Sequence, residues 1–547
     1  MSRRWTFDEL APRPTMSWRS TRASGAPGAP ATKVAVIDLG SNSWRLVIFS
    51  YGSVARSGAA PATWWKRTDE LYETVRIGAG LQASGRLSEE AMARGLETLT
   101  VFEHFCRANE LGRRDVHAVA TSAIREAANG QEFVRAAEAR TGLRIEILSA
   151  QEEASLGYLA AVNTTTLTDG VVLEIGGGSM QLIRVAGREA YERPSFALGA
   201  VGLTEELLPG PDPPKKRELE RVRKRARAAL GHLSWLTAQS DRRKLVGLGG
   251  AVRNLATAAA HSSEAPDLGV QGFVITSDAL DALVRMLAAL PAAERGTAPG
   301  IKPGRGDIIL AAALVIQTVV ELGGFEGIEV TEAGLREGVF FARTPVTGER
   351  PLIDDVRRAA VLNLALQYES DMAHVDRVAR LALQMFDSLV EQGLLEPGLG
   401  ERDLLWAAAM LHDVGMTIAY DDHHKHSEYL ILAGELPGFD PRERALIARI
   451  TRYHRKGVPR LGELEAVTSD GDQKLLERCA VIVRLAEHLE RGHDQAVSDV
   501  RLDANGHGVD LYLKAHGESL TLPRWSVERY GDGDAFARVF GRRLVVG

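Results

Sequence analysis

Cysteine is nearly absent from this chain. Its 547 residues hold two, Cys106 and Cys479, far apart. Two distant thiols build neither a disulfide framework nor a cysteine-ligated metal knuckle, and they fit a reducing cytoplasm. Long apolar runs are missing too. None approaches the roughly 18 residues that a membrane-spanning helix needs, so no membrane partner is expected. The first 32 residues carry charge, proline and alanine but no apolar stretch of the secretory kind. Residues 1–32, with "SGAPGAPAT", read as a disordered segment. Net charge is small, at −6. Nothing global draws a polyanion, so nucleic acid is not expected as a partner and any anionic substrate has to be held by local groups.

What is present is the composition of an ordinary soluble protein, 45% hydrophobic and 25% charged. The length is too great for one core and asks for several domains. "KVAVIDLGSNSWRLVIFS" (33–50) reads as strand, tight turn, strand. "GVVLEIGGGSMQLIRV" (170–185) repeats that pattern about 135 residues later. Between them, "LSEEAMARGLETLTVFEHFCRANEL" (87–111) is an amphipathic helix with Ser88 as N-cap. "DVHAVAT" and "LRIEILS" are strands, each followed by a helix. Such alternation calls for an α/β fold with a duplicated unit. "LPGPDPPKK" (208–216) is a break, followed by a helix rich in Lys and Arg. That helix either tracks a polyanion or is simply a solvated face. "KLVGLGGAVRNLATAAA" (244–260) is strand, glycine turn, helix. From about 352 the pattern becomes helical and holds more than half of the 14 histidines. A short strand-rich piece follows residue 496.

The two hairpins carry the chemistry. Each places an acid at a strand end, Asp38 or Glu174, followed by a small-residue turn: Gly40, Ser41, Asn42, Ser43 in one, Gly176, Gly177, Gly178, Ser179 in the other. Glycine lets a backbone approach a ligand closely, and successive N–H groups with hydroxyls form an anion nest. Gly249 and Gly250 supply a third such turn entering a helix. One hairpin per half makes a two-lobed phosphate clamp.

The set "AVIDLGSNSWRLVI", "AVATSAIREAANGQEFV", "IEILSAQEEASLGYLAAV", "LEIGGGSMQL", "LGAVGLTE", "GLGGAVRNLA" and "EAGLREGVFF" resembles the exopolyphosphatase and guanosine pentaphosphate phosphohydrolase family. That family belongs to the actin-like ATPase superfold. "HVDRVARLALQMFD", "AAAMLHDVGMTI", "HHKHSEYLI" and "ITRYHRKG" extend the likeness into the helical part. The resemblance implies two actin-like (ribonuclease H-like) lobes at 33–165 and 166–345. An all-α HD-like domain at 350–495 and a small α/β domain at 496–547 would follow.

The resemblance also implies hydrolysis of a terminal phosphoanhydride, of linear polyphosphate or of pppGpp. It places the water-aiming carboxylate at Glu153 and a phosphate-contacting guanidinium at Arg125. The residues give their own reason to separate Glu153 from its neighbour. Ser149-x-x-Glu152 fits a capping box, which occupies Glu152 and leaves Glu153 free to face the cleft. A carboxylate at a helix N-terminus is expected to stay ionised. Asp38 and Glu174, with Gln181 through water, would hold a divalent cation, Mg²⁺ with Mn²⁺ as the alternative. The family pattern has Asp at 174 and Glu at 181. The longer acid and the lost charge leave a non-catalytic polyphosphate or nucleotide sensor as a further reading. A kinase of the same superfold fits less well, since "QEEA" belongs to the phosphatase branch.

In the helical part, His374, His412-Asp413 and Glu487 follow the order of an HD-type metal site, with Glu487 in place of a shorter Asp. The family's helical domain is often silent as a metal site, so a structural or substrate-binding role is expected there first. His423, His424, His426 and His454, with Lys425, Arg455 and Lys456, stand as candidate phosphate-binding groups along a channel to the first cleft. The helical part is also the expected dimer contact.

Overall fold

The structure is a computed structural model that describes residues 31–56, 59–211, 213–238, 243–262, 268–398, 400–517, 519–530 and 533–546. The reading of residues 1–32 falls outside this set except for Ala31 and Thr32, and Thr32 already opens the first strand. The chain forms two compact units, one ending at Val356 and one built on Arg357–Gly547.

The first unit contains both lobes. Lobe I has β1 (Thr32–Leu39), β2 (Trp44–Arg56), β3 (Ala59–Glu73), β4 (Val116–Ala120) and β5 (Ile145–Ile147) in the order β3-β2-β1-β4-β5. Strand β1 pairs antiparallel with β2 and parallel with β4, and β4 pairs parallel with β5. Lobe II has β6 (Gly170–Ile175), β7 (Met180–Ala186), β8 (Glu189–Ala190), β9 (Ser195–Phe196), β10 (Lys244–Leu248), β11 (Val274–Thr276) and β12 (Gly327–Val330). Its path β8-β7-β6-β10-β12 repeats the order of lobe I, and the pairings β7-β6, β6-β10 and β10-β12 repeat the directions of β2-β1, β1-β4 and β4-β5, with β11 added antiparallel at the edge. This is the duplicated sheet of the actin-like fold. The central strands are apolar on both faces, as parallel strands covered by helices require: Val34 to Ile37 and Val171 to Leu173 are all buried. Each lobe has its own core, one around Ile37, Trp44 and Phe102 and one around Leu173, Ile309 and Leu314.

Local signals hold at the helix starts. Ser88 caps helix Glu89–Ala108 by accepting from the Ala91 N–H at 3.2 Å. Helix Ala150–Val162 opens on the expected capping box: Glu152 N–H donates to Ser149 Oγ at 3.2 Å, and Ser149 N–H to Glu152 Oε2 at 2.8 Å. Helix Leu335–Arg343 lies so close to it that a side chain at Gly338 would overlap the Leu156 backbone.

The second unit packs helices Met372–Glu391, Glu401–Leu411, His423–Ala433, Pro441–Arg452 and Asp472–Leu489 with a sheet in the order β13 (Val497–Ala504), β14 (Val509–Ala515), β15 (Leu544–Val546). Its core is continuous, joining Val378, Met410, Ile447 and Ile482 to Val497, Leu511 and Phe536. That core runs across the boundary drawn at 496 in the sequence: β13 packs on helix Met372–Glu391, and Val527, Phe536 and Phe540 of the terminal helices join the same cluster. Both cysteines are buried and unpaired. Among the described residues no helix is long and apolar enough to cross a membrane.

Candidate functional site

The hairpin registers set the site. Asp38 lies opposite Arg45, and Glu174 opposite Gln181. Directly opposed residues of an antiparallel pair project on the same face, so each acid is accompanied by the residue across from it. The turns are tied down. Trp44 Nε1 donates to Gly40 O at 3.0 Å, and Ser41 Oγ meets Ser122 Oγ at 2.9 Å. In the second turn, Gly176 N–H donates to Ser179 O at 2.9 Å. The helix Ala200–Leu207 then grips that turn from behind: Ala200 N–H donates to Gly176 O and Val201 N–H to Gly177 O, both at 2.9 Å. Gly199 allows this approach, since any side chain there would overlap the Gly177–Gly178 backbone. That is the physical content of "LGAVGLTE". At the third turn Gly249 has φ +97° and caps helix Gly250–His261.

Three carboxylates converge. Burial pushes Asp38 up to about 6, against Arg336 and Arg45, and the charge of Glu153 adds to the push. Burial pushes Glu174 up to about 8, with Glu153 and Asp38 adding and Arg253 opposing. Glu174 Oε2 is buried without a hydrogen-bond partner. Gln181 is buried, and its amide donates to Ser179 Oγ at 3.1 Å.

Glu153 and Arg125 are brought together: Arg125 Nη1 donates to Glu153 Oε2 at 2.8 Å and to Leu148 O at 3.0 Å. The helix N-terminus does not by itself keep Glu153 acidic. Burial raises its pKa, and Arg125 is what opposes the rise. One turn along the same face lies Gly157. A Cβ there would stand 2.7 Å from Glu174 Oε2, so this glycine makes the space that the longer acid fills. Glycine in a helix interior costs roughly 0.5–1 kcal/mol relative to alanine, which the housing of Glu174 accounts for.

The sequence reading missed four guanidiniums. Arg336 and Arg45 both act on Asp38, and Arg253 acts on Glu174. Burial pushes Arg253 down to about 10, with Arg336 and Arg45 adding their repulsion. Burial also lowers Arg305, and Arg45 adds to it. Arg305 packs so close to Gly250 that a Cβ there would stand 2.6 Å from the guanidinium. Arg45 pairs with Glu70 at 2.8 Å, and Arg336 reaches the same oxygen at 3.4 Å. Arg45, Arg253 and Arg336 were inside quoted motifs. Their adjacency to glycine turns was the available signal.

A sequence-family model described as the Ppx/GppA phosphatase family matches residues 66–346, and one described as Ppx/GppA phosphatase, domain III, matches residues 356–521. The chain belongs to the Ppx/GppA phosphatase family. Among solved structures, an exopolyphosphatase from Cytophaga hutchinsonii is 24% identical. The match covers 57% of this chain and 97% of that one, with a TM-score of 0.50, and it shows the shared fold. A Ppx/GppA family member from Aquifex aeolicus is 27% identical over 57% of this chain and 97% of that one, with a TM-score of 0.49.

Away from the two hairpins, the basic helix Lys216–Leu230 buries Val222, Ala226 and Leu230. Two of its arginines are engaged by the lobe. Arg223 Nη2 donates to Gln317 Oε1 at 3.0 Å, and Arg227 bridges Glu220 and Glu321 at 3.0 Å each. Its outer residues, Arg221, Lys224 and Arg225, are exposed.

In the second unit the four expected residues do meet. His374 and His412 approach Nε2 to Nε2 at 3.3 Å, and Glu487 Oε2 lies 3.1 Å and 3.2 Å from them. Asp413 Oδ2 stands 3.7 Å and 3.6 Å from the same two nitrogens. The extra methylene of Glu487 therefore still reaches. His423 and His454, expected to line a phosphate channel, are instead buried against each other and against Asp413. His426 and Lys425 lie on the first turn of helix His423–Ala433, with Lys425 Nζ paired to Asp422 at 2.7 Å.

Proposed function

We propose that the cleft between the lobes is an exopolyphosphatase site that releases terminal orthophosphate from linear polyphosphate. The observation that carries this reading is the charge arrangement: three half-buried carboxylates, Asp38, Glu153 and Glu174, with Arg45, Arg253 and Arg336 acting on them or on one another and Arg305 beside Gly250. Phosphoryl transfer needs the phosphate gripped, its charge countered and a water aimed in line, with little covalent chemistry. The arginines supply planar donors for the oxygens of a polyanion. Glu153 orients the water and accepts its proton as the terminal P–O–P bond breaks and the shortened chain leaves. Arg125 opposes the rise that burial causes and so favours the ionised form of Glu153 that this requires, and its N–H groups not bonded to Glu153 or Leu148 are the ones that meet phosphate oxygen.

Asp38 and Glu174 would hold a divalent cation, Mg²⁺ by the chemistry of an oxygen-only donor set. The residues fit it. The buried, partnerless Glu174 Oε2 costs free energy unless a proton or a cation meets it. Gln181 offers an amide oxygen for a water beside that cation. When bound, Mg²⁺ would offset the charge of the phosphoryl oxygens.

The test measures orthophosphate release from long-chain polyphosphate and from pppGpp with Mg²⁺. Glu153→Gln is expected to lower the turnover number by about 10²–10⁴-fold. Release from pppGpp alone would move the reading to a guanosine pentaphosphate phosphohydrolase. No release from either would leave the sensor reading, and equal release by the variant would remove Glu153 from its role.

A further inference from the structure

The second unit holds a second group of ligand atoms that the first does not explain. Asp413 Oδ1 lies 3.4 Å from His423 Nε2 and 3.8 Å from His454 Nε2, and those two nitrogens are 3.1 Å apart. Asp413 Oδ2 faces the other set, His374, His412 and Glu487. One carboxylate thus points one oxygen at the triad His374, His412 and Glu487 and completes a second triad with His423 and His454 through the other.

The tautomers make these contacts unfavourable without a cation. His412 Nδ1 lies 2.7 Å from Ala409 O, His423 Nδ1 2.9 Å from Tyr420 O, and His454 Nδ1 2.7 Å from Thr451 O. A carbonyl oxygen only accepts, so each ring carries a proton on Nδ1, and in the neutral ring, the form that ligates a metal, Nε2 presents its lone pair. This is the outer bond that metal-ligating histidines make. His423 and His454 then aim two lone pairs at each other across 3.1 Å. His412 aims one at Glu487 Oε2, a buried oxygen with no hydrogen-bond donor. Donors about 2.0–2.2 Å from a common ion stand about 3–3.5 Å apart; His374, His412 and Glu487 lie 3.1–3.3 Å from one another, and Asp413, His423 and His454 lie 3.1–3.8 Å apart.

We infer that these residues bind two first-row transition-metal ions, bridged by Asp413, which together take a phosphate oxyanion. His374, His412 and Glu487 hold one ion. His423 and His454 hold the other. The imidazole-rich donor set favours manganese, iron, cobalt or zinc over Mg²⁺. A bridging carboxylate keeps two ions about 3.5–4 Å apart, the separation that suits the oxygens of one phosphoryl group. Asp413 and Glu487 are the partly exposed members, at 17% and 19%, so the ligand enters on the carboxylate side. Arg452 and Lys456, whose charges act on His424 beside the second ion, bring positive potential there. This centre is independent of the exopolyphosphatase reading, since it uses none of the cleft residues.

The experiment loads the full chain with Mn²⁺, removes free metal by gel filtration, and records manganese content and the electron paramagnetic resonance spectrum. The wild type is expected to retain two more Mn²⁺ per chain than Asp413→Ala and to show the signal of an exchange-coupled pair. His454→Gln is expected to retain one fewer ion than the wild type and to show an uncoupled signal. Inorganic phosphate is expected to shift the coupled signal. Absence of coupling in the loaded wild type, or equal manganese in wild type and Asp413→Ala, would overturn the two-ion centre whatever the variants' folding. A coupled signal indifferent to phosphate would overturn the assigned ligand.

Discussion

The two hairpins of the first unit are the same device with different electrostatics. In the first, Asp38 sits opposite Arg45, with Arg336 also bearing on it, and burial takes it only to about 6. In the second, Glu174 sits opposite an uncharged Gln181, has Arg253 as its opposing cation and two carboxylates as neighbours, and rises to about 8. Duplication preserved the strand pairing and the turn. The charge across the ladder diverged, which leaves one hairpin balanced by protein groups and the other short of a positive charge.

The largest test of that difference is to erase it. Arg45→Gln makes the first hairpin resemble the second. We expect kcat/KM for polyphosphate to fall about 10²-fold, in line with the loss of one preorganised charge-stabilising donor. A fall of less than about threefold would mean that Arg45 serves Glu70 rather than the cleft.

Next is the housing of the longer acid. Gly157→Ala is expected to lower the Mg²⁺-supported rate about tenfold, equivalent to about 1.4 kcal/mol. Glu174→Asp in the same chain is expected to restore most of it. Contacting pairs typically show coupling of about 0.5–3 kcal/mol, and additive effects in this cycle would break the pairing of glycine and acid.

Gln181→Glu sharpens the comparison more gently. Returning a charge opposite Glu174 is expected to lower the Mg²⁺ concentration for half-maximal rate about threefold, with little change in saturated turnover. An unchanged Mg²⁺ requirement would place Gln181 outside the cation's surroundings.

The smallest effect is on stability. Asp38 and Glu174 are raised in the folded chain from 3.8 to about 6 and from 4.5 to about 8. The folded state therefore binds more protons than the unfolded one across that window. The stability these groups contribute is complete below the ordinary carboxylate range and is lost as pH rises through 6 and then 8. A cation replaces those protons, so saturating Mg²⁺ should raise Tm by about 2 °C more at pH 8 than at pH 6. The reverse order in calorimetry would contradict the buried-acid assignment.

Much of the frame was legible because it is written locally. Ser88 and the Ser149–Glu152 pair mark helix starts within four residues, and each hairpin is a single continuous segment. Arg305 and Gly157 were not legible, because their meaning depends on partners far away in sequence: Gly250 for one, Glu174 for the other. The histidines show both cases. His374, His412, Asp413 and Glu487 follow a known order. The pairing of His423 with His454 needs two separate helix ends to converge on the far oxygen of Asp413, and no spacing in the chain encodes that. The boundary at 496 went unmarked as a shared core for a similar reason, since strand alternation says which face is apolar but not what will cover it.

The helix behind the second turn has a consequence for what can enter the cleft. Gly176 and Gly177 have their carbonyl oxygens occupied by Ala200 and Val201. With those two oxygens tied back, the face they would have offered to a cation is closed. The turn is held in one shape before any ligand arrives, so an anion that meets its free N–H groups needs no rearrangement of the backbone. A divalent ion would then depend on the acid side chain beneath the turn rather than on the carbonyls of Gly176 and Gly177.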